Sequence, residues 1–320
     1  MKILIIDPVH EVLLNTLQDR GFHVVVELSK TYEEYIQSIS KYDGVIVRSG
    51  IRIDQHFIDQ GIKLKFIARV GAGMENIDVG YAKSKGIECL NSPEGNRTAV
   101  GEQAIGMLLS LFNNLNQADQ EVRQGLWNRE ANRGVELEGK VVGIIGYGNM
   151  GSAFAKRLLG FDVEVIAYDK YKERYSNSYV HETSMEELFD RCDVVSLHLP
   201  LTEETNGLVT HDWLNKFKKK IYLINTARGP IVNTSDLVQN INSGKVLGAC
   251  LDVLEYEKLG FENIEKKNLP RAFQYLSKSN KVILSPHIAG WTHQSNYKLS
   301  KVIADKIVAV LNVKDSRLKE

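Results

Sequence analysis

Residues that could do chemistry gather in four stretches of this chain. The first, residues 141–151 (VVGIIGYGNMG), is an apolar, partly β-branched run entering Gly146, Gly148 and Gly151 in the order G-x-G-x-x-G. In such a turn the first glycine permits the bend, the second lets backbone approach a pyrophosphate, and the third lets helix and strand pack closely. The N–H groups of the helix start at Asn149 and Met150 then hold the anion. A helix-like SAFAKRLL and a strand-like run, residues 163–168, lead to Asp169. That acid lies 23 residues after Gly146, near the usual spacing for a carboxylate on an adenosine ribose. The glycines alone are a weak signal; with strand, helix, strand and terminal acid they predict nucleotide binding.

The other three stretches are residues 225–230 (NTARGP), 251–257 (LDVLEYE) and 285–292 (SPHIAGWT). Each places polar residues at a strand end, where open α/β sheets take their ligands. Singly, Arg228 reads as a surface ion pair, Glu257 as a solvated acid and His287 as a structural imidazole. On one edge of one nucleotide-binding sheet they become a fixed cation, a carboxylate and a group that exchanges protons near neutral pH.

The elements that must position them alternate. Residues 3–6, 24–26, 44–47, 65–68 and 87–90 read as strands, and 11–17, 32–39 and 81–85 as helices, which predicts a first parallel α/β unit. Residues 98–115 read as a long buried helix with Thr98 as N-cap, bridging two domains and followed by a polar connector, residues 116–140. Trp127 in that connector either caps the local core or anchors a subunit contact. Beyond Asp169, helices at 185–191, 211–217 and 235–241 alternate with strands at 193–199, 221–225, 246–251 and 281–284, before a last helix at 294–311. Lys218 to Lys220 read as cations favourable at a helix C-terminus.

Composition sets outer bounds. The 320 residues carry 40 Lys+Arg against 40 Asp+Glu, so no basic field suggests nucleic acid, and small molecules are the expected partners. Cys89, Cys192 and Cys250 form no C-x-x-C pair, which argues against a disulfide framework or a thiolate metal site; no metal is expected. The start, MKILIID, reads as a strand rather than a signal peptide, and no apolar run approaches the roughly 20 residues of a membrane span, so a cytoplasmic protein is expected.

The motifs above, with HLPLTEETNGL (residues 198–208) and VGAGMENID (residues 70–78), recur in the order seen in the D-isomer-specific 2-hydroxyacid dehydrogenases, which this chain resembles over nearly its whole length. The resemblance implies two Rossmann-like α/β domains with parallel sheets. The substrate domain is discontinuous, residues 1–97 plus 290–320, and residues 98–289 bind NAD; the usual assembly is a homodimer. It implies that Arg228 binds the substrate carboxylate and carbonyl, that His287 is the general acid/base, and that Glu257 hydrogen-bonds His287. Asp252 would contact the nicotinamide amide, and His198, Pro200, Thr205, Thr226, Ala227 and Gly290 would line the cofactor with the glycine loop and Asp169. Val70, Gly71, Ala72 and Gly73 would cradle the substrate carboxylate. The family commonly has proline after the glutamate, where this chain has Lys258.

Within the family, VRSG (residues 47–50) and NSPEGNRTAVGE (residues 91–102) resemble the phosphoglycerate dehydrogenases of serine biosynthesis, in a form expected to lack their C-terminal regulatory domain. That implies a phosphorylated substrate, 3-phosphoglycerate or 3-phosphohydroxypyruvate, met by Arg48, Ser49 and Asn96. The order NRT, against the more usual NTR, turns attention from Arg97 to Arg48 and Asn96. The alternatives are a glyoxylate or hydroxypyruvate reductase, which shares the catalytic trio, and more remotely an NAD-sensing corepressor-like scaffold.

Overall fold

The structure is a computed structural model that describes residues 1–257 and 269–317. It divides into two compact units, Met1–Asn96 with Trp291–Glu320, and Arg97–Gly290. Lys258 lies outside the described residues.

In the first unit the strands are β1 (Lys2–Ile5), β2 (His23–Val26), β3 (Gly44–Val47), β4 (Phe66–Arg69) and β5 (Glu88–Leu90). They pair in parallel in the order β2-β1-β3-β4-β5. Helices α1 (Glu11–Asp19), α2 (Tyr32–Ile39), α3 (Gln55–Gln60) and α4 (Val79–Ser84) connect them. Alternation along β1 splits the core: Ile3 and Ile5 face one apolar layer, Leu4 the other. Burial on both faces explains why these strands read as continuous apolar runs. The last helix of the chain belongs to this unit, its Leu299, Ile303 and Ile307 packing with Leu13 and Leu17 of α1.

Two helices precede the second sheet, α5 (Pro93–Phe112) and α6 (Leu115–Arg123). Both correct the sequence reading. Thr98 is inside α5 rather than its N-cap, because Pro93 supplies the fixed φ that suits a first helical position. The supposed polar connector begins with α6, entered through Asn114 at φ 51°.

The second unit holds β6 (Val141–Ile145), α7 (Asn149–Arg157), β7 (Glu164–Tyr168), β8 (His181–Glu182), α8 (Met185–Arg191), β9 (Val194–Leu197), α9 (His211–Asn215), β10 (Ile221–Asn225), α10 (Thr234–Asn242), β11 (Val246–Leu251), α11 (Arg271–Leu276) and β12 (Val282–Leu284). The sheet order is β12-β11-β10-β9-β6-β7-β8, all parallel, so chain direction across the sheet reverses between β6 and β9. Val142 and Ile144 pack with Ala104, Leu108 and Phe154 on one face, while Val195, Leu223 and Leu237 build the other. The apolar side of α5 is therefore covered by its own unit. In α6 and the segment after it, Leu115, Val122, Leu126 and Trp127 are exposed, Trp127 at 77%, so Trp127 caps no local core. The lysine run also differs from expectation: α9 ends before it, and Lys218 and Lys219 pair with Asp190 and Asp193. The chain closes with α12 (His293–Arg317), capped reciprocally by Thr292 and Ser295.

Candidate active site

The glycine turn between β6 and α7 has the three properties its spacing predicts. Gly146 sits at φ 92°, and a Cβ there would lie 2.5 Å from the His198 carbonyl oxygen. A Cβ on Gly151 would lie 2.1 Å from the Gly146 carbonyl, so the third glycine is where helix and strand touch. Around Gly148 there is open space, and no side chain caps the start of α7, whose Asn149 and Met150 amides lie at that end. A turn that is crowded at its first and last glycines and open at the middle one, above an uncapped helix start, fits a dinucleotide pyrophosphate.

Asp169 follows β7 and points back to this turn: its Oδ2 accepts from Tyr147 N–H at 2.8 Å and its Oδ1 from Tyr171 N–H at 3.0 Å. Of the two neighbouring cations, Lys170 pairs with Glu204 and Lys172 donates to the Tyr147 carbonyl. Further candidates line the ends of β9 and β10. His198 bonds through Nε2 to the buried Ser196 hydroxyl at 2.8 Å, its Nδ1 has no partner among the described residues, and burial of its ring pushes its pKa down to about 3. It is therefore a neutral ring at physiological pH. Thr205 Oγ1 donates to the Pro200 carbonyl at 2.6 Å, which closes that loop. Thr226 Oγ1 is buried with no partner among the described residues, beside the buried Ala227, and such an orphaned hydroxyl fits a polar cofactor atom.

The loops after β10, β11 and β12 carry the remaining chemistry-bearing residues of this unit. Asn225, fully buried at the end of β10, clamps the next turn: its Oδ1 accepts from Ala227 N–H and its Nδ2 donates to the Arg228 carbonyl at 3.0 Å. Arg228 Nη1 donates to the Ala227 carbonyl at 2.6 Å. A Cβ on Gly229 would lie 2.0 Å from the Leu254 carbonyl, so the arginine turn is pressed against the β11 loop that carries Glu257. Glu257 Oε1 accepts from Leu254 N–H at 2.6 Å, and its Oε2 lies 2.7 Å from His287 Nδ1. The carboxylate thus fixes the ring through Nδ1.

His287 adopts φ 54°, a left-handed conformation that costs a non-glycine residue about 1–2 kcal/mol. Asp252, only 1% exposed, holds it there. Its carbonyl accepts His287 N–H at 2.8 Å, its Oδ1 accepts from Ser285 Oγ at 2.6 Å and Ile288 N–H at 2.9 Å, and its Oδ2 accepts from Ala289 N–H at 2.8 Å. The turn continues to Gly290. Asn225, Ser196 and the clamping use of Asp252 went unread in the sequence; for Asn225 and Asp252 a polar residue at the end of an apolar strand was the available signal.

The first unit gathers its own candidates beyond β3 and β4. Asp7 Oδ2 accepts from the backbone of Arg48 and Gly50, which flank Ser49. Arg69, also unread, donates through Nε to the Arg48 carbonyl at 2.9 Å and through Nη1 to the Gly73 carbonyl, tying that loop to Val70–Gly71–Ala72–Gly73. Asn91 and Ser92 hold the same loop at the Ala72 and Gly71 carbonyls. Asn96 Oδ1 is buried without a partner among the described residues.

A family model described as D-isomer specific 2-hydroxyacid dehydrogenase, NAD binding domain, matches residues 105–289. D-3-phosphoglycerate dehydrogenase of Archaeoglobus fulgidus is 35% identical over 310 residues, 96% of this chain but 57% of that protein, so the chain spans little more than half of that relative. Hydroxypyruvate reductase of Thermotoga maritima is 33% identical over 98% of this chain and 99% of its own length. Among solved structures, D-lactate dehydrogenase from Aquifex aeolicus, complexed with NAD and lactic acid, superposes with a TM-score of 0.83 at 26% identity, covering 100% of this chain and 98% of that one. Two parallel α/β units, a glycine turn of dinucleotide type, and a Glu257–His287 pair whose loop is pressed by the Arg228 turn thus meet a family match across most of the chain: it belongs to the D-isomer specific 2-hydroxyacid dehydrogenases, with their NAD-binding domain in its second unit.

Proposed function

We propose that this chain is an NAD-dependent dehydrogenase that interconverts a D-2-hydroxy acid and its 2-keto acid, with 3-phosphoglycerate and 3-phosphohydroxypyruvate as the pair. The observation that carries the reading is the 2.7 Å contact of Glu257 with His287 Nδ1 on a loop clamped by Asp252. Bound NADH supplies the hydride in the reducing direction, and NAD accepts it in the other. During reduction negative charge builds on the carbonyl oxygen. His287 Nε2 delivers a proton there, while Glu257 holds the ring and offsets the charge it carries before transfer. Arg228 offers a planar fork to the substrate carboxylate and carbonyl. Ala72 and Gly73 present backbone N–H groups to the carboxylate, those of Val70 and Gly71 being donated to the Val47 and Arg69 carbonyls, and Asp252 would hold the nicotinamide amide. Ser49 and Asn96 join Arg48 on the phosphate.

Asp169 favours NADH, because its carboxylate accepts from ribose hydroxyls and repels a 2′-phosphate. With Lys170 engaged by Glu204, kcat/KM for NADH is expected to exceed that for NADPH by roughly tenfold or more, a difference worth about 1.4 kcal/mol. Equal values overturn the role of Asp169.

The exposed apolar residues of α6 and the Trp127 segment support a homodimer, since a patch of that kind on a monomer marks a contact surface. Sedimentation at micromolar concentration is expected to give a dimer, and Trp127→Glu to shift it toward monomer. A wild-type monomer rejects the proposal. No helix among the described residues is long and apolar enough to cross a membrane, and we place the enzyme in the cytoplasm.

Hydroxypyruvate reduction is the second reading, favoured by the end-to-end match to the Thermotoga reductase. Kinetics on a 2-keto acid panel separate the two. The phosphate reading expects phosphohydroxypyruvate to be the best substrate. It also expects Arg48→Ala to raise its KM by about 10- to 100-fold, the worth of one charge-assisted contact, with a much smaller effect on hydroxypyruvate. Wild-type enzyme that reduces hydroxypyruvate or glyoxylate equally well favours the reductase.

A further inference from the structure

Unit 1 has the strand order β2-β1-β3-β4-β5, so its chain direction reverses between β1 and β3. The crevice beyond the carboxyl ends of the strands at such a switch is where open α/β sheets take ligands. Asp7 follows β1 at this place, and Arg48 directly follows β3. The Arg48 backbone is fixed on both sides, its N–H by Asp7 and its carbonyl by Arg69 and Asn76. The side chain is held differently. Its guanidinium carbon lies 4.6 Å from the ring centre of Trp291, and Nη1 donates to the Pro8 carbonyl at 3.3 Å. No other hydrogen bond or ion pair of this guanidinium occurs among the described residues. Most of its five N–H donors are therefore unused.

Trp291 is equally particular. The indole is 68% exposed, so core packing does not account for it, and Arg48 is its cation–π partner. Stacking covers one face of a guanidinium and leaves the N–H edge outward, the edge that meets a phosphate bidentately. Burial pushes the Arg48 pKa down while the Asp7 carboxylate pushes it up, so this partly desolvated cation gains from a second anion.

We propose that Trp291 is a specificity-determining positioning residue: its ring seats the Arg48 guanidinium so that the free edge receives the phosphate of the substrate. The proposal rests on the phosphorylated-substrate reading above. It differs from it in assigning the preference to a stacked pair rather than to a lone arginine. A flexible, unseated arginine would have to be ordered on every binding event, and the indole removes that cost.

The test measures kcat/KM for phosphohydroxypyruvate and hydroxypyruvate in wild type, Arg48→Ala, Trp291→Ala and Trp291→Phe, and uses their ratio as the readout. Trp291→Ala is expected to lower the ratio about tenfold, chiefly through KM for the phosphorylated acid, and Trp291→Phe to recover part of it because a ring remains. Because kinetics on both acids are read from the same folded enzyme, a general loss of structure lowers both and leaves the ratio unchanged, which counts against the proposal. A preference that is lost in Arg48→Ala but kept in Trp291→Ala overturns the role of Trp291 alone. Wild type with no preference for the phosphorylated acid overturns the phosphate reading and this inference together.

Discussion

His287→Ala is expected to lower kcat for 2-keto acid reduction by about 10² to 10⁴, the usual range for a lost general acid. The substitution removes the imidazole that Glu257 holds through Nδ1. NADH binding is expected to stay within several-fold of wild type, because the Gly146 to Gly151 turn and Asp169 are untouched. Position 287 is left-handed, so alanine also adds backbone strain there. His287→Asn is the companion variant: asparagine tolerates that conformation and is polar, yet it cannot relay a proton. Both variants are expected to lose catalysis to a similar degree. If asparagine restores turnover, the backbone shape of the loop rather than the imidazole carries the chemistry, and the assignment falls.

Asp252→Asn is expected to lower kcat by about 10- to 100-fold and to destabilise the fold by about 1–3 kcal/mol. The carboxylate accepts from one hydroxyl and two backbone N–H groups in a site almost closed to water. An amide offers one acceptor oxygen where there were two, and its NH2 group confronts a donor. One of Ser285, Ile288 or Ala289 is left unmet, and the loop holding His287 at φ 54° loses its anchor. Displacement of an acid/base group by about 1 Å can cost 10²-fold. Ser285→Ala removes only one donor from the same carboxylate and is expected to be milder in both readouts. Thermal unfolding and steady-state kinetics at 25 °C check this, and a stable Asp252→Asn enzyme with wild-type kcat removes Asp252 from the positioning of His287.

What could be read in the sequence follows from what is local. β6, the glycine turn and Asp169 form a continuous segment whose spacing encodes its geometry, so their arrangement was legible. Strands buried on both faces were equally legible as apolar runs, and β3, β10 and β11 have the boundaries read from sequence. Helix starts were harder. Pro93 begins α5, but Thr98, a residue type that favours caps, drew the start five residues too late. The placement of Arg228, Glu257 and His287 at strand ends was visible, whereas the clamping role of Asp252 was not. Its donors come from the loop after β12, more than thirty residues away, and no local pattern announces them. Arg69 and Trp291 were missed for the same reason, since each acts on a partner brought near only by the fold.

The most direct test of the central claim follows NADH oxidation with phosphohydroxypyruvate and hydroxypyruvate and determines the configuration of the product. The account predicts that one NADH is consumed per 2-hydroxy acid formed, that the product is the D isomer, and that His287→Ala abolishes most of the rate. NADH that binds without being consumed by any acid of the panel, or a product of L configuration, contradicts it.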